Sequence, residues 1–171
     1  MSLRFLNPTW PLLAALASAM MLGAAHAFQT FGHLFPCELC LKQREVYWVA
    51  LAVGLIGFGL GRALKRPLIV TLSSLVLALV FLFGAGLAAY HAGVEWKWWP
   101  GPRACTGQAK ASLAAVAALM NGARVAGPSC DVAAWRMLGV SMAGWNALIS
   151  LALALVSFKA IGSRRRGLDP V

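Results

Sequence analysis

PLIVTLSSLVLALVFLFGAGLAAYHAGV, residues 67–94, runs for 28 residues without a charged side chain between Arg66 and Glu95. The hydrocarbon core of a bilayer takes roughly 20 apolar residues as an α-helix. A segment this long and this free of charge reads as a membrane span, and it sets how the rest of the chain is read. Three other gaps are of the same kind: Arg4 to Glu38, Glu45 to Arg62, and Arg136 to Lys159. The second holds only 16 residues, but Lys42 and Arg44 can lay their stems along the helix and keep their charges at the headgroups. The uncharged run Ala111–Ala123 is too short to cross.

These gaps predict an all-α membrane protein, a bundle of four transmembrane helices at about 10–30, 43–61, 68–92 and 140–160. The chain, residues 1–171, forms a single integral membrane domain with outer loops at about 31–42 and 93–139. Composition agrees: 60% of residues are hydrophobic and 12% charged, where a soluble domain is about half apolar and a quarter charged. The net charge of +10 does not indicate a nucleic-acid partner, because the basic residues sit at the ends of apolar stretches.

Lysine and arginine also orient the bundle. Arg4, Arg62, Lys65, Arg66, Lys159 and Arg164 to Arg166 fall on one side, on short segments. Most basic residues of the other side are spread over the long second loop. Both termini are therefore expected in the cytoplasm, and the two cysteine-bearing loops outside, in the periplasm if the membrane is a bacterial inner membrane. Trp48, Trp96, Trp98, Trp99, Trp135 and Trp145 gather toward that outer face as an interfacial belt. A rival reading makes residues up to Ala27 a signal peptide, with Ala25-His26-Ala27 as its cleavage motif. The single basic residue of the leading segment and the uncharged run on to Pro36 favour an intact first helix.

All four cysteines, Cys37, Cys40, Cys105 and Cys130, fall in the outer loops, where disulfides persist. Pro36 suits the first turn of a helix, which puts Cys37, Cys40 and Arg44 close to one face. In the second loop, EWKWWPGPRAC breaks regular structure, Gln108–Arg124 reads as a short amphipathic helix, and AGPSCD ends it before Cys130.

Three chemistries compete for the cysteines. Zinc sites usually show two close ligand pairs, but here only Cys37 and Cys40 are close, and His26, His33 and His91 lack ligand spacing. No metal is expected. Structural bridging suits Cys105 with Cys130, which would close a sizeable loop, but a Cys37–Cys40 bridge closes almost none and constrains little. The spacing instead suits a redox pair. Cys37 lies near a helix start with Lys42 and Arg44 following, a setting that lowers thiol pKa, although Glu38 opposes it. One close pair beside the membrane and one distant pair in a loop can exchange electrons through mixed disulfides.

Those electrons need an acceptor. The chain carries no Fe–S spacing, haem motif or dinucleotide loop, so a lipid-soluble quinone is the economical choice. Arg44, one turn past Cys40, then becomes a candidate for a quinone carbonyl and for stabilising the adjacent thiolate. His91, at the outer end of the third span, is a candidate second polar contact.

At these residues the sequence resembles the disulfide bond formation protein B (DsbB) family. The marks are Cys37-Glu-Leu-Cys40 followed by Gln43-Arg44, the EWKWWPGP run before Cys105, and PSCD around Cys130. The resemblance covers almost the whole chain. It implies an enzyme, a protein-disulfide-generating quinone oxidoreductase that reoxidises a DsbA-like thioredoxin-fold partner and passes electrons to ubiquinone or menaquinone. It further implies that Cys105 forms the mixed disulfide with the partner, that Cys130 attacks Cys37, and that Cys40 faces the quinone as a thiolate beside Arg44. The alternative is a non-catalytic membrane protein whose outer loops are stapled by disulfides.

Overall fold

The computed structural model describes residues 6–102, 120 and 129–165. Four helices dominate them: α1 Leu6–Thr30, α2 Glu38–Ala63, α3 Pro67–Glu95 and α4 Met142–Arg165. Each holds a segment long and apolar enough to cross a membrane, namely Pro8–Thr30, Glu38–Ala63, Pro67–Glu95 and Met142–Ile161. The protein is thus a four-helix membrane bundle, as its charge gaps predict. The predicted amphipathic helix Gln108–Arg124 lies outside the described residues, Met120 apart, and so does Cys105.

Two of the boundaries that differ from the sequence expectation bear on the site. Helix α2 starts at Glu38 rather than near 43, because Cys37 caps its first turn. Helix α3 runs to Glu95 rather than stopping near 92. Both elements therefore carry regular helix into the region where the cysteines lie.

Helix α3 is the central element. Leu77, Ala78, Phe81 and Ala88 on it are fully buried, and it packs most widely on α4 and α2 and also touches α1. Its other face is apolar and open, with Leu72, Leu79 and Phe83 exposed, like Leu55 and Ile56 on α2 and Leu155 on α4. Apolar side chains both inside and outside are what a lipid solvent allows. Helix association then depends on close packing and interhelical hydrogen bonds rather than on hydrophobic burial. Gly54 permits such packing: a Cβ there would stand 2.5 Å from the Pro11 carbonyl oxygen of α1. Buried hydroxyls are satisfied within their own helices, Ser18 on the Ala14 carbonyl and Ser74 on the Val70 carbonyl. Trp10 donates from Nε1 to Ser157 Oγ at 3.0 Å and ties α1 to α4.

Ahead of α4 comes a small hairpin that the sequence did not announce. Arg136–Met137 (β1) pairs antiparallel with Val140–Ser141 (β2). The two linking residues, Leu138 and Gly139, both have positive φ, 53° and 80°, as a two-residue turn matched to strand twist requires. Ser141 then accepts the Gly144 backbone N–H on its Oγ and caps α4. Trp145 donates back to the Met137 carbonyl, so the hairpin is held against the first turn of the helix it precedes.

Candidate active site

The site begins at the cap of α2. Cys37 is in extended conformation, and its Sγ accepts the backbone N–H of Cys40 at 3.3 Å. That places one sulfur at the positive end of a helix, where a thiolate is favoured. One turn on, the Cys40 Sγ lies 2.8 Å from the Cys37 Sγ. Both are free thiols, Cys37 buried and Cys40 half-buried. Helix α3 brings the third member: His91, buried, has its Nε2 at 3.7 Å from the Cys37 Sγ. The donating Cys40 thiol, followed by His91, holds the Cys37 sulfur well below the range of an ordinary thiol, although burial pulls the other way.

Behind His91 runs a string of buried and half-buried polar groups that crosses three helices. Ser150 and Tyr47 share a hydrogen bond at 2.9 Å, and the Tyr47 hydroxyl donates to Asn146 Oδ1 at 2.5 Å. Asn146 Nδ2 donates to Gln43 Oε1 at 2.5 Å, and Gln43 Nε2 meets His91 Nδ1 at 2.8 Å. With the amides assigned in this direction, Nδ1 is an acceptor and the imidazole hydrogen sits on Nε2, facing Cys37. The neutral ring therefore has one hydrogen to offer on its cysteine side. Glu95 shares that side, its Oε1 at 3.8 Å from His91 Nε2.

These groups converge on a cavity of about 510 Å³ between α1, α2, α3 and the start of α4. Cys37, Cys40, Arg44, His91 and Glu95 are among its polar lining, and much of the remainder is apolar, with Leu22 of α1 and Ile149 of α4 among it. Arg44 does not reach for Cys40. Its Nη1 donates to Gln29 Oε1 at 2.6 Å and its Nη2 to the Ala25 carbonyl at 3.0 Å, both on α1. A guanidinium has five N–H donors, so these two bonds orient it and leave others for the cavity.

Cys130 lies next to the pair. It packs with Cys37 and Leu39 in one buried cluster, against which Cys40 and Leu87 also lie, and it is disulfide-bonded. The segment that carries it is anchored: Lys97, just past α3, donates from Nζ to the Asp131 backbone carbonyl at 2.7 Å and pairs with its carboxylate at 2.5 Å. Phe28 at the end of α1 meets Trp135 with ring centroids 5.4 Å apart.

The structure thus brings together Cys37, Cys40, Arg44, His91 and Cys130 of the candidates read from sequence, and Cys105 lies outside the described residues. The ligand atoms of Cys37, Cys40 and His91 fall within 4.8 Å of one another. Two sulfurs bound tetrahedrally to one zinc at ~2.3 Å would stand roughly 3.8 Å apart. The observed 2.8 Å suits sulfur–sulfur chemistry better. Sequence reading missed Tyr47, Asn146, Ser150 and Glu95 altogether and gave Gln43 no role. The available signal was their polarity within spans.

The lowered Cys37 thiol has a direct consequence. A free thiol near pKa 8.5 loses thiolate about tenfold per pH unit below that value. Cys37 keeps its thiolate until the pH falls through its own, lower value. Its alkylation, measured by peptide mass, is expected to change little between about pH 8 and 6. A tenfold fall per unit over that window would contradict the geometry described.

The family model described as "Disulfide bond formation protein DsbB" matches residues 7–160. Disulfide bond formation protein B of Dechloromonas aromatica is 31% identical over 149 residues, covering 82% of this chain and 83% of that protein. Disulfide bond formation protein B of a Polaromonas species is 29% identical over 157 residues, covering 87% of each.

Proposed function

The chain belongs to the disulfide bond formation protein B family, and from that premise we propose that it is a quinone-dependent thiol oxidase. It makes disulfides in a periplasmic DsbA-like, thioredoxin-fold partner and passes the electrons to membrane quinone. The observation that carries this reading is the juxtaposition of a free, closely spaced thiol pair with a disulfide-bonded cysteine, beside a cavity that opens among membrane helices.

A quinone head is a flat ring with two carbonyl acceptors and an apolar tail. The cavity matches that chemistry: it is walled largely by apolar side chains and has donors at one end. Arg44 and His91 are the residues that would hold the carbonyls. Bound there, the quinone supplies a two-electron oxidant, ubiquinone or menaquinone alike.

The relay divides into two exchanges. With Cys37 and Cys40 free, Cys105 is the remaining cysteine of the chain and the proposed partner of Cys130. A thiolate of the DsbA-like protein attacks Cys105, and Cys130 leaves. When the second thiol of that protein resolves the mixed disulfide, its own disulfide is complete and Cys105 and Cys130 are thiols. Cys130 next attacks Cys37 of an oxidised Cys37–Cys40 pair, and Cys40 leaves as the thiolate. Cys105 then closes on Cys130, and Cys37 is left reduced as well. The sequence resemblance puts the thiolate at Cys40, whereas the helix cap and His91 favour it at Cys37. The two belong to successive stages, Cys40 in the mixed disulfide and Cys37 in the fully reduced pair. The arrangement described above, with the pair reduced and Cys130 bridged, is the stage that is ready to yield electrons.

Orientation completes the proposal. The protein sits in a bacterial inner membrane with both termini cytoplasmic and the cysteine end periplasmic. The test uses Cys130→Ser, which removes the group that resolves the partner exchange from within. With the thioredoxin-fold protein supplied in its disulfide form, the free Cys105 thiol attacks that disulfide, and the mixed disulfide is expected to accumulate and to show as a reductant-sensitive band shift. If the loop cysteines are structural staples instead, no such species forms.

A further inference from the structure

Glu95 is a carboxyl in an unusual position. Its side chain is 5% exposed at the end of a membrane helix, and among the described residues its Oε2 is a buried oxygen with no hydrogen-bond partner. It lines the same cavity as Cys37, Cys40 and Arg44. The one hydrogen that neutral His91 offers on this side, from Nε2, is placed between the Cys37 sulfur at 3.7 Å and Glu95 Oε1 at 3.8 Å.

Two anions would therefore compete for one donor in a buried site. Like charges in such a site do not both stay ionised, and one of them keeps a proton. A buried carboxylate oxygen without a donor is costly, and a neutral carboxyl is much less so. The titratable or charged groups that line the cavity with Glu95 are Cys37, Cys40, Arg44 and Tyr47 on α2 and His91 on its own helix; α1 contributes none and α4 the neutral Asn146. Arg44 is the one fixed cation among them, and two of its donors are directed to α1.

We propose that Glu95 is the proton store of the cysteine pair, protonated while Cys37 is a thiolate and releasing that proton when the pair is oxidised. The inference rests on the quinone reading for the destination of the proton. Oxidation of Cys37 and Cys40 to a disulfide releases two electrons. One proton comes from the Cys40 thiol and the second from Glu95, which becomes a carboxylate once the neighbouring thiolate charge has gone. Two electrons and two protons convert a quinone to a quinol, so the exchange balances in atoms and charge. On re-reduction of the pair by Cys130, Glu95 takes a proton back.

The experiment counts protons and needs no quinone. Full-length protein, stripped of quinone in detergent, is equilibrated with a thiol redox buffer at a series of pH values. The state of the Cys37–Cys40 pair is read by alkylation and peptide mass. The buffer thiols release two protons as they reduce the pair, so the equilibrium constant read against them stays level with pH when the pair takes up two protons and changes about tenfold per pH unit when it takes up one. The wild type is expected to show two protons, an equilibrium constant that stays level near neutral pH. Glu95→Gln is expected to show one, a ~10-fold change, with Cys37 still a thiolate, and Glu95→Asp restores two. Equal slopes in wild type and Glu95→Gln would overturn the proposal. A one-proton slope in the wild type would overturn it without any variant. Because no quinone is present, a two-proton count in a protein that fails to reduce quinone would sink the acceptor reading alone.

Discussion

Cys40→Ser is expected to bring quinone consumption by a reduced thioredoxin-fold protein down by ~10³-fold or more, to the uncatalysed background. Its sulfur stands 2.8 Å from that of Cys37. With serine at 40, Cys37 has no neighbour of that spacing with which to close a disulfide, and electrons arriving from Cys130 have no exit. Cys40→Ala, which leaves no side-chain donor at 40, removes the largest influence that lowers the Cys37 thiol, so alkylation of Cys37 should shift toward higher pH in that protein. Loss of quinone absorbance followed anaerobically gives the first readout, and the alkylation profile gives the second. Turnover within tenfold of wild type would mean that the pair is not the exit.

Arg44→Ala is the second large expected effect, and its value lies in being selective. A hydrogen bond from a charged donor contributes about 1.5–3 kcal/mol, so losing one to a quinone carbonyl weakens apparent quinone affinity by ~10- to 100-fold. The thiol–disulfide exchange with the protein partner does not pass through Arg44 and should stay within about twofold. Steady-state rates at varied quinone, and separately the single-turnover rate of partner oxidation, distinguish the two. The bonds from Arg44 to Gln29 and to the Ala25 carbonyl also join α2 to α1. Equal loss in both assays would reduce Arg44 to that structural tie.

The membrane bundle was legible in the sequence because charge is costly in hydrocarbon, and gaps between charged residues therefore mark the spans. The same reasoning misled at Glu95. A carboxylate reads as the solvated end of a span, and α3 does end at Glu95, yet the side chain is buried there, one turn past His91. The early start of α2 was half legible: Pro36 and the Cys37, Cys40, Arg44 spacing pointed to helix there, while the charges at Lys42, Arg44 and Glu45 moved the expected span to 43. The polar string was not legible, because its links join residues far apart in sequence. Asn146 and Gln43 are 103 positions apart, and Gln43 and His91 are 48 apart. No local periodicity predicts such pairings. The hairpin at Arg136–Ser141 escaped for another reason: Leu138 takes a positive φ that non-glycine residues seldom adopt.

Arg44 and His91 both line the cavity, but their partners were not legible in the sequence. Sequence placed Arg44 beside Cys40, and the structure directs two of its donors to α1. Sequence offered His91, at the outer end of the third span, as a second polar contact for the quinone, and the structure buries it between the Cys37 sulfur and Glu95 with Gln43 fixing its ring.

The central claim is that electrons from protein thiols leave through the Cys37–Cys40 pair to a quinone. The most direct measurement mixes the purified protein, ubiquinone or menaquinone, and a reduced thioredoxin-fold dithiol without oxygen, and follows quinone absorbance together with thiol content. The account predicts one quinone lost for every two protein thiols oxidised, with both signals absent in Cys40→Ser. Thiol oxidation that proceeds without quinone loss, or quinone loss that persists in Cys40→Ser, would contradict it.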